Sequence, residues 1–366
     1  MPDFVPGVVL ASRFYHEAIR PILDDTVPGL AHSAALIGSG SEVLGFDTPV
    51  STDHHWGPRA MIFVRDADHA ARADEIRHAL ATRLPHDFLG WPTSFAQPDP
   101  VDPGTRHLER RTTGPVDSLV EVLTVRGYLL DYLGFAGDRE PASLQWLTFP
   151  SQKLLAVTAG AVFHDDIGLE ETRARLAWYP RDVWLYLLAA GWKRIGQEEH
   201  LMGRAGQVGD EIGSAVLAAR LVRDVMRLCF LMERRYAPYP KWLGSAFANL
   251  AAASRLTPIL TAVLHAKTWV DRDRALADAY GVIAEMHDAL GLTDSLPRRA
   301  RRFWGRPFNV IYGDRVAKAL LARIADPDVR AIPWAIGGVD QWSDSTDLLE
   351  AAALRERLEG LYRPTE

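Results

Sequence analysis

The spacing of hydrophobic positions changes near residue 145. Before that point they come in short runs. Ala34-Ala35-Leu36-Ile37 and Ala60-Met61-Ile62-Phe63-Val64, bounded by glycine and proline, predict buried strands. Val9, Phe14, Ile19 and Ile22 fall near helical spacing and predict an N-terminal helix over 7–23 that leans on the first strand. Ile76, Ala79 and Leu80 give an apolar side to a helix over 68–84. The segment 86–113, rich in proline, glycine and aromatics, reads as a long connection. In 116–125 (VDSLVEVLTV) both alternating faces are largely apolar, the pattern of a central strand covered on both sides. Beyond residue 145 helical spacing takes over. It predicts helices over 182–201, 212–235, 256–270, 273–290, 314–324 and 347–362; in the second, Ile212, Val216, Ala219, Val222, Met226 and Phe230 recur at intervals of three and four. The expectation is an α+β chain: a small mixed-sheet α/β domain over 1–145, an all-helical domain over 146–366, and a cleft between them.

Composition narrows the class without naming the chemistry. The chain has 366 residues, 48% hydrophobic and 24% charged, an ordinary globular balance. A formal net charge of −6 provides no broad basic field, which argues against bulk nucleic-acid binding. Cys229 is the only cysteine, so intramolecular disulfides and cysteine-rich zinc sites are excluded. Neither a signal-like N-terminus nor an apolar run of about 20 residues is visible, and a cytoplasmic protein without a membrane partner is expected.

The candidate chemistry centres on 36–64, LIGSGSEVLGFDTPVSTDHHWGPRAMIFV. Gly38, Gly40 and Gly45 permit tight turning and close approach of backbone to a ligand. Asp53 and His55 are two apart, so on a strand both would point to one face. A turn rich in backbone N–H groups beside two metal-ligating side chains suits a nucleotide with a divalent cation. Arg59 follows Gly57-Pro58 and suits a phosphate or a structural ion pair. Glu121 lies inside its apolar strand, and a buried carboxylate needs a partner or a metal. No G-x-x-x-x-G-K-[ST] occurs, which excludes a Walker-type loop.

Gly38-Ser39, followed by Ser51-Thr52-Asp53-His54-His55-Trp56-Gly57-Pro58-Arg59, resembles the signature of the polymerase-beta-like nucleotidyltransferase superfamily. The fuller pattern is similar to a bacterial family known as domain of unknown function 4037, related to aminoglycoside nucleotidyltransferases. The resemblance implies that Gly38, Ser39, Ser41 and backbone N–H groups hold terminal phosphates. It also implies that Asp53, His55 and Glu121 hold magnesium, with Glu121 and Asp53 catalytic. His55 stands where the superfamily usually has a second carboxylate, and Asp117 is a second choice for the third acid. The segment Arg235-Tyr236-Ala237-Pro238-Tyr239-Pro240-Lys241-Trp242 resembles the part of the family that reaches the nucleotide, with Lys241 on a phosphate and Tyr236 or Tyr239 on a base.

Two further groups invite a substrate role: the polar end of 158–166, and Gln197, Glu198, Asp210 and Glu211 for a cationic acceptor. The implied function is magnesium-dependent transfer of a nucleoside monophosphate, AMP from ATP, onto a hydroxyl of a small molecule with release of pyrophosphate. Two alternatives stay open: a catalytically silent nucleotide-binding or antitoxin-like module of the same fold, and adenylylation of a protein or RNA end.

Overall fold

The computed structural model describes residues 3–98, 100–101, 104–295 and 299–364. Four strands form the main sheet: β1 (His32–Leu36), β2 (Arg59–Val64), β3 (Leu119–Leu123) and β4 (Ala161–Asp165). The principal helices are α1 (Gly7–Phe14), α2 (Arg20–Thr26), α3 (Asp66–Arg83), α4 (Val125–Leu133), α5 (Ser143–Thr148), α6 (Ser151–Thr158), α7 (Leu169–Arg175), α8 (Arg181–Gln207), α9 (Glu211–Met232), α10 (Leu243–Phe247), α11 (Ala253–His265), α12 (Trp269–Ala289) and α13 (Gly313–Leu321). The class is α+β, as the change of spacing predicts. The chain divides into two compact units, one of residues 1–140 and 153–177, the other of 141–152 and 178–366. The expected single boundary at 145 is therefore replaced by an excursion, because β4 returns to the sheet.

Strand order in the sheet unit is β3-β2-β1-β4, with β1 antiparallel to both neighbours and β2 parallel to β3. Ala35 stands opposite Met61, and Met61 opposite Glu121. Because side chains alternate along a strand, Arg59, Met61, Phe63, Leu119 and Glu121 share one face, while Ala60, Ile62, Val64 and Val122 share the other. The second face carries the larger core: Leu10 and Phe14 of α1, Ile22 of α2, and Ile76 and Leu80 of α3 are buried in the same cluster as Ala34 and Ile62. Each such side chain contributes about 1.5–3 kcal/mol on burial. On the first face, Phe63 meets Tyr128 of α4 edge-on, with ring centroids 5.6 Å apart. Helix α4 starts where the Thr124 hydroxyl accepts from the Gly127 N–H at 2.9 Å, and it stops at left-handed Gly134.

Three expectations about this unit are corrected. The 116–125 run supplies an edge strand rather than a central one, and Glu121 on it is exposed rather than buried. The N-terminal helix over 7–23 is present but carries one π-helical turn, Tyr15–Ile19, between α1 and α2.

The helical unit is built around α8. Every residue from Val183 to Trp192 is buried, which suits a helix covered on all sides. Asp210 caps α9 by accepting from the Gly213 N–H at 2.7 Å, and Thr268 caps α12. The unit is not wholly helical, because Arg301–Arg302 pairs with Asn309–Val310 in a short ladder. The expected helix over 347–362 is a succession of short turns from Thr346 to Tyr362. No helix among the described residues is long and apolar enough to cross a membrane.

Candidate functional site

The bend after β1 has the form the sequence anticipates, held by Arg59, which the sequence marks, and by residues it did not single out. Gly38 has φ +87°, and its N–H donates to the Ala156 carbonyl at 2.9 Å. A β-carbon there would sit 3.0 Å from the Tyr128 hydroxyl, so both conformation and space call for glycine. Ser39 is exposed at the tip; its carbonyl accepts from Arg59 Nη2 at 2.9 Å, and its hydroxyl lies 3.3 Å from the Tyr132 hydroxyl. Arg59 also donates to buried Glu42, at 2.8 Å from Nε and 2.5 Å from Nη2. The structural alternative for Arg59 is thus realised: its charge is matched by Glu42 and its remaining donor holds the bend. The Ser41 carbonyl closes the following turn by accepting from the Phe46 N–H. Asp47 accepts from the Gly7 N–H at 2.7 Å and from Trp56 Nε1 at 3.0 Å, pinning the far side of the loop.

Asp53 and His55 are not on a strand. Pro49–Asp53 forms a 3-10 turn with a Thr48/Ser51 capping box, and β2 begins only at Arg59. His55 has φ +50°, outside extended backbone. The shared-face expectation for the two residues is therefore corrected: proline and the cap win over strand pairing. The Asp53 carboxylate takes His54 Nδ1 at 3.0 Å. Desolvation, which would raise that carboxyl, is outweighed by the His54 hydrogen bond and charge, and it sits below its ordinary value. His55 Nε2 is 2.5 Å from the Gly104 carbonyl and 3.1 Å from the Arg106 N–H, while the Asp53 carbonyl meets His107 Nδ1 at 2.7 Å. The 53–55 segment is tied to 104–107 by these contacts.

Glu121 lies on the sheet face that also bears Arg59, two residues along β3 from Arg59's partner Leu119. Asp117, the second choice, is taken by Arg106 at 2.8 Å and Gln97 at 3.0 Å. Three residues not read as site residues stand around the bend. Tyr128 is buried, and its hydroxyl finds no hydrogen-bond partner among the described residues. Burial, then the charges of Tyr132 and Glu121, push its phenol well above the ordinary value. Tyr132 stacks on Tyr128 at 5.4 Å, and Lys153, a buried ammonium, lies 4.0 Å from the centre of the Tyr132 ring. An apolar run containing a lysine (SQKLLAVT) was the available signal for Lys153.

In the segment 158–166, Thr158 bonds back to the Leu154 carbonyl and Asp165 accepts from the N–H groups of Gly168, Leu169 and Glu170, each at 2.9 Å. In the helical unit Tyr236 is buried against Trp178 and Tyr179, with centroids 4.9 and 5.1 Å away. The Tyr239 hydroxyl accepts from Trp242 Nε1 at 2.7 Å, and exposed Lys241 lies 5.0 Å from the Trp242 ring centre. A cleft of about 370 Å³, open solvent included, borders Tyr236, with Ser151, Tyr179, Arg227, Arg235 and Asp340 on its walls. The acids considered for a cationic acceptor already have partners: Glu198 pairs with Arg220, Asp210 caps α9, and Glu211 pairs with Arg272.

The bend thus presents the Ser39 hydroxyl beside Tyr132, and exposed Glu121 lies on the sheet face that bears Arg59. Magnesium fits less well. It wants near-octahedral oxygen ligands, but Asp53 is turned onto His54 and His55 Nε2 onto backbone. Among the described residues Asp53, His55 and Glu121 do not form a group with ligand atoms within 4.8 Å of one another.

The family model described as Domain of unknown function (DUF4037) matches residues 146–243, from within α5 to the start of α10. No curated protein matches the chain.

Proposed function

We propose that the chain binds a nucleoside triphosphate at the Gly38-Ser39 bend and transfers the nucleoside monophosphate, AMP from ATP, to a hydroxyl of a small acceptor. The observation that carries this reading is the convergence of the bend, Arg59 and Glu121 on one face of a mixed sheet. Ser39 and Lys153 would hold the phosphates, with Tyr132 placing the ammonium. The acceptor oxygen would attack the α-phosphorus while its proton passes to Glu121, and pyrophosphate would leave toward Lys153. Magnesium, which the resemblance implies, supplies charge neutralisation when bound. As held here, Asp53 and His55 do not offer it a site, and no step is assigned to it.

That same engagement of Asp53 and His55 favours a second reading, a module that binds nucleotide without turning it over. One experiment separates them: the four nucleoside triphosphates with magnesium, each against a panel of small alcohols, read by pyrophosphate release and by calorimetry. Release coupled to a labelled acceptor supports transfer, and binding without release supports the silent module. Absence of triphosphate binding removes both. Asp53→Asn tests the ligand role carried by the resemblance, since full activity in that variant refutes it.

A further inference from the structure

At the opposite end of β1 from the glycine–serine bend lies a second constellation. His32 opens β1 and is 4% exposed. His164 sits near the end of β4, opposite Ala34, and Asp166 follows the strand. Each offers one ligand atom, and these atoms all lie within 4.8 Å of one another. The imidazoles of His32 and His164 are 4.6 Å apart, and His164 Nε2 is 2.7 Å from Asp166 Oδ2. The Asp166 N–H donates to the His32 carbonyl at 3.0 Å, which fixes the turn carrying the carboxylate. Neighbouring Asp165 is occupied by Ser33 and the start of α7, which leaves Asp166 as the acid of the group.

The tautomer of His32 is set by its surroundings. Nδ1 lies 3.0 Å from the Leu30 carbonyl, which only accepts, so Nδ1 carries the proton and donates. Nε2 then bears the lone pair, which accepts from the Tyr15 hydroxyl at 2.8 Å. A ring nitrogen anchored on a backbone carbonyl fixes the tautomer of a metal-bound histidine, and an ion at Nε2 would take the place of the Tyr15 hydrogen bond. Two local irregularities border the group. Tyr15 begins the π-helical turn, and the β1–β4 register shifts between Ala34 and Ala35. Such turns and bulges are frequent beside functional sites. The charged groups nearest on α2 are Arg20 and Asp24, whose side chains face each other at 3.7 Å.

The geometry points to a divalent transition-metal site formed by His32, His164 and Asp166, of the chemistry that zinc takes: two imidazole nitrogens, one carboxylate oxygen and a fourth position open to water. The ion would join β1 to β4 beside the π-helical turn. It would be separate from any magnesium at the bend, because nitrogen-rich sites suit zinc and oxygen-only sites suit magnesium.

The test uses the full chain stripped with a chelator and titrated with zinc by calorimetry. One tight equivalent is expected, weakened at least tenfold in His164→Ala and in Asp166→Asn and retained in Asp53→Asn. Asp166 is exposed, so Asp166→Asn keeps the fold and separates lost ligation from unfolding. Zinc should raise the melting temperature of the wild type by several degrees and leave that of the two variants unchanged. Cobalt in place of zinc should give visible absorption that both variants lose. A wild type that takes up no zinc, or variants that bind it as tightly as wild type, would overturn the assignment.

Discussion

The two units place their charged groups differently. In the helical unit several acids satisfy backbone at helix starts, as Asp165 does in the sheet unit. Glu199 accepts from the N–H groups of Ile311 at 2.5 Å and Gly313 at 3.2 Å, Asp182 from those of Ala325 and Asp326 at 2.7 and 2.6 Å, and Glu233 from those of Ala251 and Ala252 at 2.8 Å each. Each carboxylate closes a junction where helix ends leave donors without intrahelical partners. In the sheet unit, charge and polar groups gather at the two ends of β1, where strands stop and side chains reach solvent. One end holds Ser39, Arg59 and Glu42; the other holds His32, His164 and Asp166. Acids of the first kind report on stability, whereas those at strand ends can meet a ligand.

The sharpest way to break the contrast is Glu121→Gln. If the exposed acid on β3 takes the acceptor proton, transfer should fall a hundredfold to ten-thousandfold with triphosphate affinity and melting temperature unchanged. A loss of stability with no change in turnover would put Glu121 with the structural acids. Arg59→Ala comes next and bears on the one strand-end pair that looks structural. Removing the guanidinium leaves Glu42 buried without its partner, and urea unfolding should show a loss of about 3 kcal/mol, discounted for the partial exposure of Arg59.

Glu199 gives the corresponding prediction for the helical unit. Burial raises its carboxyl from an ordinary 4.5 to about 7, against the lowering effect of its N–H donors. Between those values the folded state holds the proton and the unfolded state has released it. Stability should therefore fall as pH rises through that window, by up to about 3 kcal/mol from this group. Glu199→Gln should flatten the slope in unfolding titrations at pH 5, 6 and 7. The smallest effect is expected from Lys153→Met, which keeps the side chain's bulk over Tyr132 and removes its charge. Triphosphate affinity should drop about tenfold, roughly 1.4 kcal/mol, in calorimetry.

Several elements were legible because their determinants are local. The runs beginning at Ala34 and Ala60 fall in strands that end at Leu36 and Val64, and the three-and-four spacing from Ile212 to Phe230 lies within α9. Gly38 was readable as a turn because only glycine adopts its φ without strain. Others misled for equally physical reasons. VDSLVEVLTV is apolar on both faces, yet its strand lies at the sheet edge, since periodicity says which faces are covered and not how many neighbours a strand has. AVFHD is too short to separate from the end of a helical stretch and becomes a strand only by pairing with β1. Ser51-Thr52-Asp53 follows Thr48-Pro49, and its capping turn prevents the strand that would have aligned Asp53 with His55.

The sequence by itself determined the α+β class, the change from strand to helix and the glycine–serine bend, because propensity, spacing and the freedom of glycine act over a few residues. Tertiary structure alone decided which side chains meet. Arg59 finds Glu42 across 17 residues, and His32 comes within ligand distance of His164, 132 residues on, because strand register, fixed by burying one face of the sheet, sets those encounters.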